Sequence, residues 1–130
     1  MVHMQAVDAY MALVGRFLGI LSDDAKLRKK TAGLQASFQV TFTDNEEGFC
    51  IIFDGGEIEA SLGAYPRGPA DVGLRLPIAV FDGMMRGTVN GAKAAMAGQM
   101  SFTGSARDSM RMQPVLKLMM KPYQAAAAVE

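Results

Sequence analysis

Hydrophobic and polar positions change rhythm along the chain. From Val2 to Leu21, Val7, Tyr10, Met11, Val14, Phe17, Leu18 and Leu21 recur at steps of three and four, which predicts an amphipathic helix. Gly15 and Gly19 lie four apart on it, where they either admit a second backbone or weaken the helix. Ser22 reads as an N-cap, Asp23 and Asp24 as a first turn, and Lys29 and Lys30 as a last turn with Gly33 beyond, so a second, short helix follows. At Leu34 the period drops to two. Leu34, Ala36, Phe38, Val40 and Phe42 alternate with polar residues and predict a strand with one apolar face.

The polar turn Asp44–Gly48 leads to a second strand, Phe49 to Phe53, and Asp54-Gly55-Gly56 signals a hairpin into a third, Glu57 to Leu62. A loop of the type GAYPRGP precedes a fourth strand, Asp71 to Leu76. Pro77 suits the first turn of a helix running to about Arg86. A short helix near Ala92 to Ala97, a fifth strand from Gln99 to Thr103 and a helix from about Ser105, bent or restarted at Pro114, complete the order. Hairpins on one sheet with helices at both ends of the chain predict a two-layer α+β domain. One domain spans 1–130, with N-terminal helices over 2–31, the sheet and its helices over 33–113 and a C-terminal helical lid over 105–128.

Composition narrows the functions this fold could serve. The chain has 130 residues, half of them hydrophobic and a fifth charged, with zero formal net charge. That suits one globular core and gives no global bias toward nucleic acid. The charge is uneven, with nine acids and five bases in residues 1–65 against four acids and eight bases in 66–130, which reads first as two solvated faces and only weakly as a basic face suited to transient contact with an anionic membrane. There is no Trp, and the one basic run, Arg28 to Lys30, has no aromatic stacking platform, so no nucleic-acid partner is expected. Met11 to Leu21 is too short to span a bilayer and is interrupted by Arg16, and the residues before it lack the basic start of a secretory signal. A cytoplasmic location is the expectation.

Catalytic chemistry has little to work with. His3 is the single histidine and Cys50 the single cysteine, so neither a nucleophile–histidine pair away from the N-terminus nor a zinc set is available. Cys50 falls in a strand, where a buried thiol is inert. The acidic turn Asp44–Glu47 lacks the ligand spacing of a calcium loop. No enzyme activity, metal or other cofactor is expected. A thioesterase acting on acyl-CoA would need a nucleophile or base that the sequence does not offer.

Apolar side chains remain. Eleven methionines are many for this length. Six lie between Met84 and Met112, namely Met84, Met85, Met96, Met100, Met110 and Met112, and Met119 and Met120 follow. At helical spacing Met112, Leu116, Met119, Met120 and Tyr123 share a stripe. Methionine fills irregular space and adapts to variable apolar partners, so the cluster either packs a core or lines an adaptable cavity for a lipid.

The stretch Ala70 to Gln113 resembles the sterol carrier protein type 2 family of lipid-binding domains. The resemblance is carried by Ala70 and Asp71 opening a strand, Phe81 and Gly87 on the helix after it, and Asn90, Met96, Gly98, Met100, Phe102 and Gly104 across the next helix and strand. Ser109 to Gln113 is similar to the family's Ala-Met-Lys-Leu-Gln segment. The family's proline is Gly91 here, its lysine is Gln99, and Ser101 stands where a lysine is frequent, so the basic rim toward lipid headgroups is thinner. The ending carries no peroxisomal address, which is more like the stand-alone bacterial members.

The resemblance implies a five-stranded, mostly antiparallel sheet covered by helices, with an apolar tunnel between the sheet and the C-terminal helix. An apolar small molecule such as a fatty acid, acyl-CoA, sterol or isoprenoid would occupy it. Its expected walls are Phe38 and Val40 on the first strand, Phe81, Met84 and Met85 on the central helix, and Met96, Met100 and Phe102 beyond it. Met110, Met112, Gln113, Leu116, Met119 and Met120 would belong to the lid. An alternative reading is an accessory protein that presents isoprenoid-quinone intermediates to enzymes, binding a partner protein or a second copy through the helix around Val115 to Tyr123.

Overall fold

The computed structural model describes residues 2–129, with side chains from Val7 onward. His3 lies outside the side chains described. Among the described residues five helices and five strands follow in the order α1 (Val2–Ser22), α2 (Ala25–Lys30), β1 (Gln35–Phe42), β2 (Gly48–Asp54), β3 (Glu57–Leu62), β4 (Val72–Leu76), α3 (Ile78–Arg86), α4 (Gly91–Met96), β5 (Ser101–Gly104) and α5 (Ala106–Ala127).

The strands form one sheet in the order β3-β2-β1-β4-β5. The hairpin between β2 and β3 closes on Gly55 and Gly56, both at positive φ (60° and 99°), as a primed type I turn requires. After β3 the chain crosses the polar face of the sheet in residues 63–71, where the Tyr65 amide donates to Gln39 Oε1 at 2.9 Å. It therefore returns on the far side of β1, and β4 pairs with β1 in parallel while the other three pairings are antiparallel. The sheet is thus mixed. Asp71 opens the parallel ladder: its Oδ2 accepts from the Ser37 amide at 2.8 Å, and its own amide donates to Ser37 Oγ at 2.9 Å.

One face of the sheet is apolar and covered. Phe38, Val40 and Phe42 of β1 and Phe49, Ile51 and Phe53 of β2 are buried beneath the helices. The three- and four-step stripe of α1 meets them through Val14, Phe17, Leu18 and Leu21. α5 packs along α1 and α3, and β5 at the sheet's edge remains exposed.

Several boundaries differ from the sequence expectation, each for a local reason. Ser22 ends α1, its hydroxyl donating back to the Leu18 carbonyl, and Asp24 caps α2 by accepting from the Leu27 amide at 2.8 Å. Pro77 precedes α3 as its N-cap, and Asp44 of the acidic turn accepts from the Ile78 amide at 2.7 Å in place of a local cap. Gly15 and Gly19 face open space and admit no close neighbour. α5 runs unbroken through Pro114 and Pro122. Packing against α1 and α3 outweighs the lost backbone hydrogen bond at each proline.

Candidate functional site

Five elements each send one aromatic ring to the centre of the molecule. Phe17 of α1, Phe42 of β1, Phe49 of β2, Phe81 of α3 and Tyr123 of α5 are all fully buried. Their ring centroids lie 5.3–6.2 Å apart, mostly edge to face. These rings fill the space between the sheet and α5.

The C-terminal half of α5 is held there by polar contacts. Tyr123 donates its hydroxyl to Asp82 Oδ1 at 2.6 Å, and Tyr10 lies 2.8 Å from the same hydroxyl. Arg86 pairs with Asp82 at 2.9 Å. Gln124 donates to the Met85 carbonyl at 2.9 Å, and Arg16 reaches the carbonyls of Ala126 and Val129 at the end of α5. Burial pushes both phenols above their ordinary range, and the Asp82 carboxylate raises them further. α1, α3 and α5 are therefore joined through one tyrosine.

Beside this packed centre, α3, α4 and α5 leave a groove of about 280 Å³. Its lining is apolar, from Met84, Met85, Val89, Leu116 and Met120, with Gln113 and Lys117 as its polar side chains. Gly87 and Gly91 form part of its wall because they carry no side chain. The Met84 methyl group sits 3.1 Å from where a β-carbon on Gly91 would be, with the Met100 methyl 4.0 Å away, and the Met120 methyl sits 3.7 Å from the same point on Gly87. Flexible thioether ends thus form the floor. The volume falls just below the range of small-molecule sites, about 300–1,000 Å³. Turning those ends is the least costly way to enlarge it.

The residues expected to line a ligand site are divided among three places. Met84, Met85, Gln113, Leu116 and Met120 meet in the groove, with Met100 against its floor. Phe38, Val40, Phe81, Met112 and Met119 are buried in the core. Met96 (89% exposed), Met110 (68%) and Phe102 (45%) lie at the surface. Phe102 pairs with Leu74 and so shares the helix-covered face of the sheet, but β5 is an edge strand and leaves the ring half open. Gly87, Val89, Gly91 and Lys117 were not expected to line the site, and the Asp82–Tyr123–Tyr10 chain was not expected either. The one available signal was the pair of glycines flanking Val89.

Cys50 and the acidic turn lie away from the groove. Cys50 is buried on the polar side of the sheet, 3.6 Å from Ser61 Oγ. Glu46 of the acidic turn takes a two-point contact from Arg75 at 2.8 and 2.9 Å, which holds its carboxyl below the usual range. Among the described residues no cluster of His, Cys, Asp and Glu is placed to hold a metal ion, and no helix is long and apolar enough to cross a membrane.

Comparison with known proteins adds a family and a fold. The sequence profile of the SCP-2 sterol transfer family matches residues 17–117. No curated protein sequence shows significant similarity to the chain. Among solved structures, apo sterol carrier protein 2 from Yarrowia lipolytica superposes with a TM-score of 0.59 at 20% identity, over 82% of this chain and 88% of that one. The ubiquinone synthesis protein UbiJ-SCP2 gives 0.58 at 14% identity, over 80% of this chain and 82% of that one. The stereoselective inverting sec-alkylsulfatase Pisa1 from Pseudomonas sp. gives 0.55 at 17% identity. The match covers 72% of this chain but only 14% of the sulfatase, so this chain corresponds to a small part of that enzyme. At these identities the structural matches establish the fold.

Proposed function

The chain belongs to the SCP-2 sterol transfer family, and from that premise we propose that it binds an elongated lipid-like molecule in the groove between α3, α4 and α5, for carriage or presentation without turnover. The observation that carries this reading is the groove itself, with a methionine-floored apolar wall and only Gln113 and Lys117 as polar side chains on its lining. Each methylene buried there contributes about 0.8 kcal/mol, which favours a chain over a compact polar ligand. Gln113 and Lys117 would meet the polar end, with Lys117 favouring a carboxylate or another anionic head.

Displacement of a fluorescent fatty acid by unlabelled fatty acids, acyl-CoAs and isoprenoid quinones tests the reading. We expect saturable binding. Met84→Glu places a charge on the floor, and Gly91→Leu fills the floor without one; each should weaken binding at least about tenfold while thermal unfolding stays close to wild type. Unchanged affinity in both folded variants would remove the groove as the site.

A second reading, an accessory protein that presents isoprenoid-quinone intermediates to enzymes, is favoured by the likeness in fold to the ubiquinone synthesis protein. It shares the groove and differs in requiring a protein partner. Co-purification of a defined partner whose binding depends on the outer face of α5 would favour it over carriage alone.

A further inference from the structure

The floor of the groove is built from oxidisable side chains. The described methionines sort by access. Met85, Met100, Met112 and Met119 are buried, Met96 and Met110 are exposed, and Met11, Met84 and Met120 are half-buried. Met11 belongs to α1 and lies outside the groove, whereas Met84 and Met120 line it. Solvent therefore reaches two methionines inside the groove, and so does any small peroxide.

An oxygen on either sulfur changes the chemistry of the site. A methionine sulfoxide is polar and chiral, and its oxygen is an acceptor that needs a donor. The Met84 sulfur lies 3.8 Å from where a β-carbon on Gly91 would be, and the Met100 methyl 4.0 Å from the same point. Oxygen there enters a wall whose neighbours, Gly91 and the Met100 methyl, offer no side-chain donor. Met120 shares its side of α5 with Lys117 and Gln113, at helical steps of three and seven. A sulfoxide on Met120 competes with a ligand's polar end for those two, which are the polar side chains of the lining. Leucine at either position would line the groove as well and would resist oxygen. Methionine joins adaptability to this reactivity.

We propose that Met84 and Met120 are modification sites through which a hydroperoxide closes the groove to apolar ligands. The thioether sulfur attacks the outer peroxide oxygen, so an S–O bond forms as the O–O bond breaks. The sulfur is oxidised by two electrons and the peroxide is reduced. The proton on the transferred oxygen passes to the departing oxygen, which leaves as water from hydrogen peroxide or as an alcohol from an organic hydroperoxide. A bound chain covers both sulfurs, so loaded protein is spared and empty protein is switched off. Methionine sulfoxide reductases reverse the step. The closing of the groove rests on the lipid-binding reading; the order in which the methionines oxidise does not.

A hydrogen peroxide time course tests this, with sulfoxide at each methionine mapped by peptide mass spectrometry and binding read with the fluorescent fatty acid. Met96 and Met110 should oxidise first, with affinity unchanged. Affinity should then fall at least about tenfold as Met84 and Met120 oxidise, before Met112 and Met119 react and before the unfolding temperature drops. A saturated fatty acid at about ten times its Kd should slow oxidation of Met84 and Met120 roughly tenfold, since only the free protein reacts, and should leave Met96 and Met110 at their own rates. Methionine sulfoxide reductases A and B should restore binding. The variant Met96→Leu, Met110→Leu should keep the sensitivity to peroxide. The variant Met84→Leu, Met120→Leu should bind equally before and after peroxide, whatever its own affinity, and the wild-type time course decides without it. Affinity that falls in step with Met96 and Met110, or that survives full oxidation of Met84 and Met120, overturns the proposal and leaves the lipid-binding reading in place. Untreated protein that takes up no apolar ligand overturns that reading and the closing of the groove with it.

Discussion

Tyr123 carries its hydroxyl into the centre of the molecule and delivers it to Asp82 at 2.6 Å, with Tyr10 adjoining. Burial there disfavours the phenolate, and the neighbouring carboxylate adds to the effect. A phenol in the unfolded chain ionises near pH 10. The folded state holds these protons longer, so folding binds protons above that pH. Stability is complete below about pH 10 and falls by up to about 1.4 kcal/mol per pH unit for each phenol held neutral above it. Urea unfolding between pH 7 and pH 11 should show this fall. Tyr123→Phe should cost about 1–2 kcal/mol at pH 7, where the hydrogen bond to Asp82 is lost, and should make the alkaline fall shallower. Equal slopes in both proteins would mean that Tyr123 contributes nothing to it. At the same scale, surface and core apolar residues respond oppositely. Met112 is fully buried, so Met112→Glu should unfold the protein. Phe102 is half open and lies outside the groove, so Phe102→Glu should leave the protein folded with fatty-acid displacement close to wild type.

α5 is two different halves in one helix. From Tyr123 onward it is fixed by Asp82, Met85 and Arg16. From Ala106 to Gln113 only Met112 is buried, and the helix borders the groove and the exposed β5 edge. Pro114 lies between these halves on the exposed side and removes the amide that the Met110 carbonyl would otherwise accept from. Pro114→Ala should restore that bond and raise stability by about 1 kcal/mol, a rise of roughly 3–5 °C in Tm for a domain of this size. Amide exchange in residues 106–113 should slow in the variant while exchange near Tyr123 stays the same. A uniform change along α5 would show that the helix opens as one unit. The sequence reading expected a bend or a restart at Pro114; the helix does not restart there, because local propensity counts the lost hydrogen bond and does not count the faces of α1 and α3 that hold the helix through it.

For the whole molecule, the packed aromatic centre and the groove beside it make capacity a question of rearrangement. Native mass spectrometry of freshly purified protein should show an added mass of a few hundred daltons, and extraction should yield a lipid; protein that stays bare after exposure to fatty acids, acyl-CoAs and quinones would count against the lipid-binding reading. The ligand-bound protein should also unfold at higher temperature, because a ligand that binds only the folded state stabilises it by mass action.

The alternation in Gln35–Phe42, the stripe in Val2–Ser22 and the Gly55-Gly56 turn were legible in the sequence because each is set by local geometry: a period of two, a period near 3.6, and a demand for positive φ. The family resemblance was legible separately, in the motif residues between Ala70 and Gln113 that carry it. The parallel pairing of β4 with β1 was not, since it depends on residues 63–71 crossing the polar face of the sheet. Nor was the sorting of the methionines. Met112 and Met110 are two residues apart with the same side chain, yet one is buried and the other is 68% exposed. Sequence determined that apolar, adaptable side chains would gather in the second half of the chain. Only the tertiary structure decided which pack the core, which floor the groove and which face solvent, because that depends on how α5 packs against α1 and α3, through contacts between residues far apart in the chain.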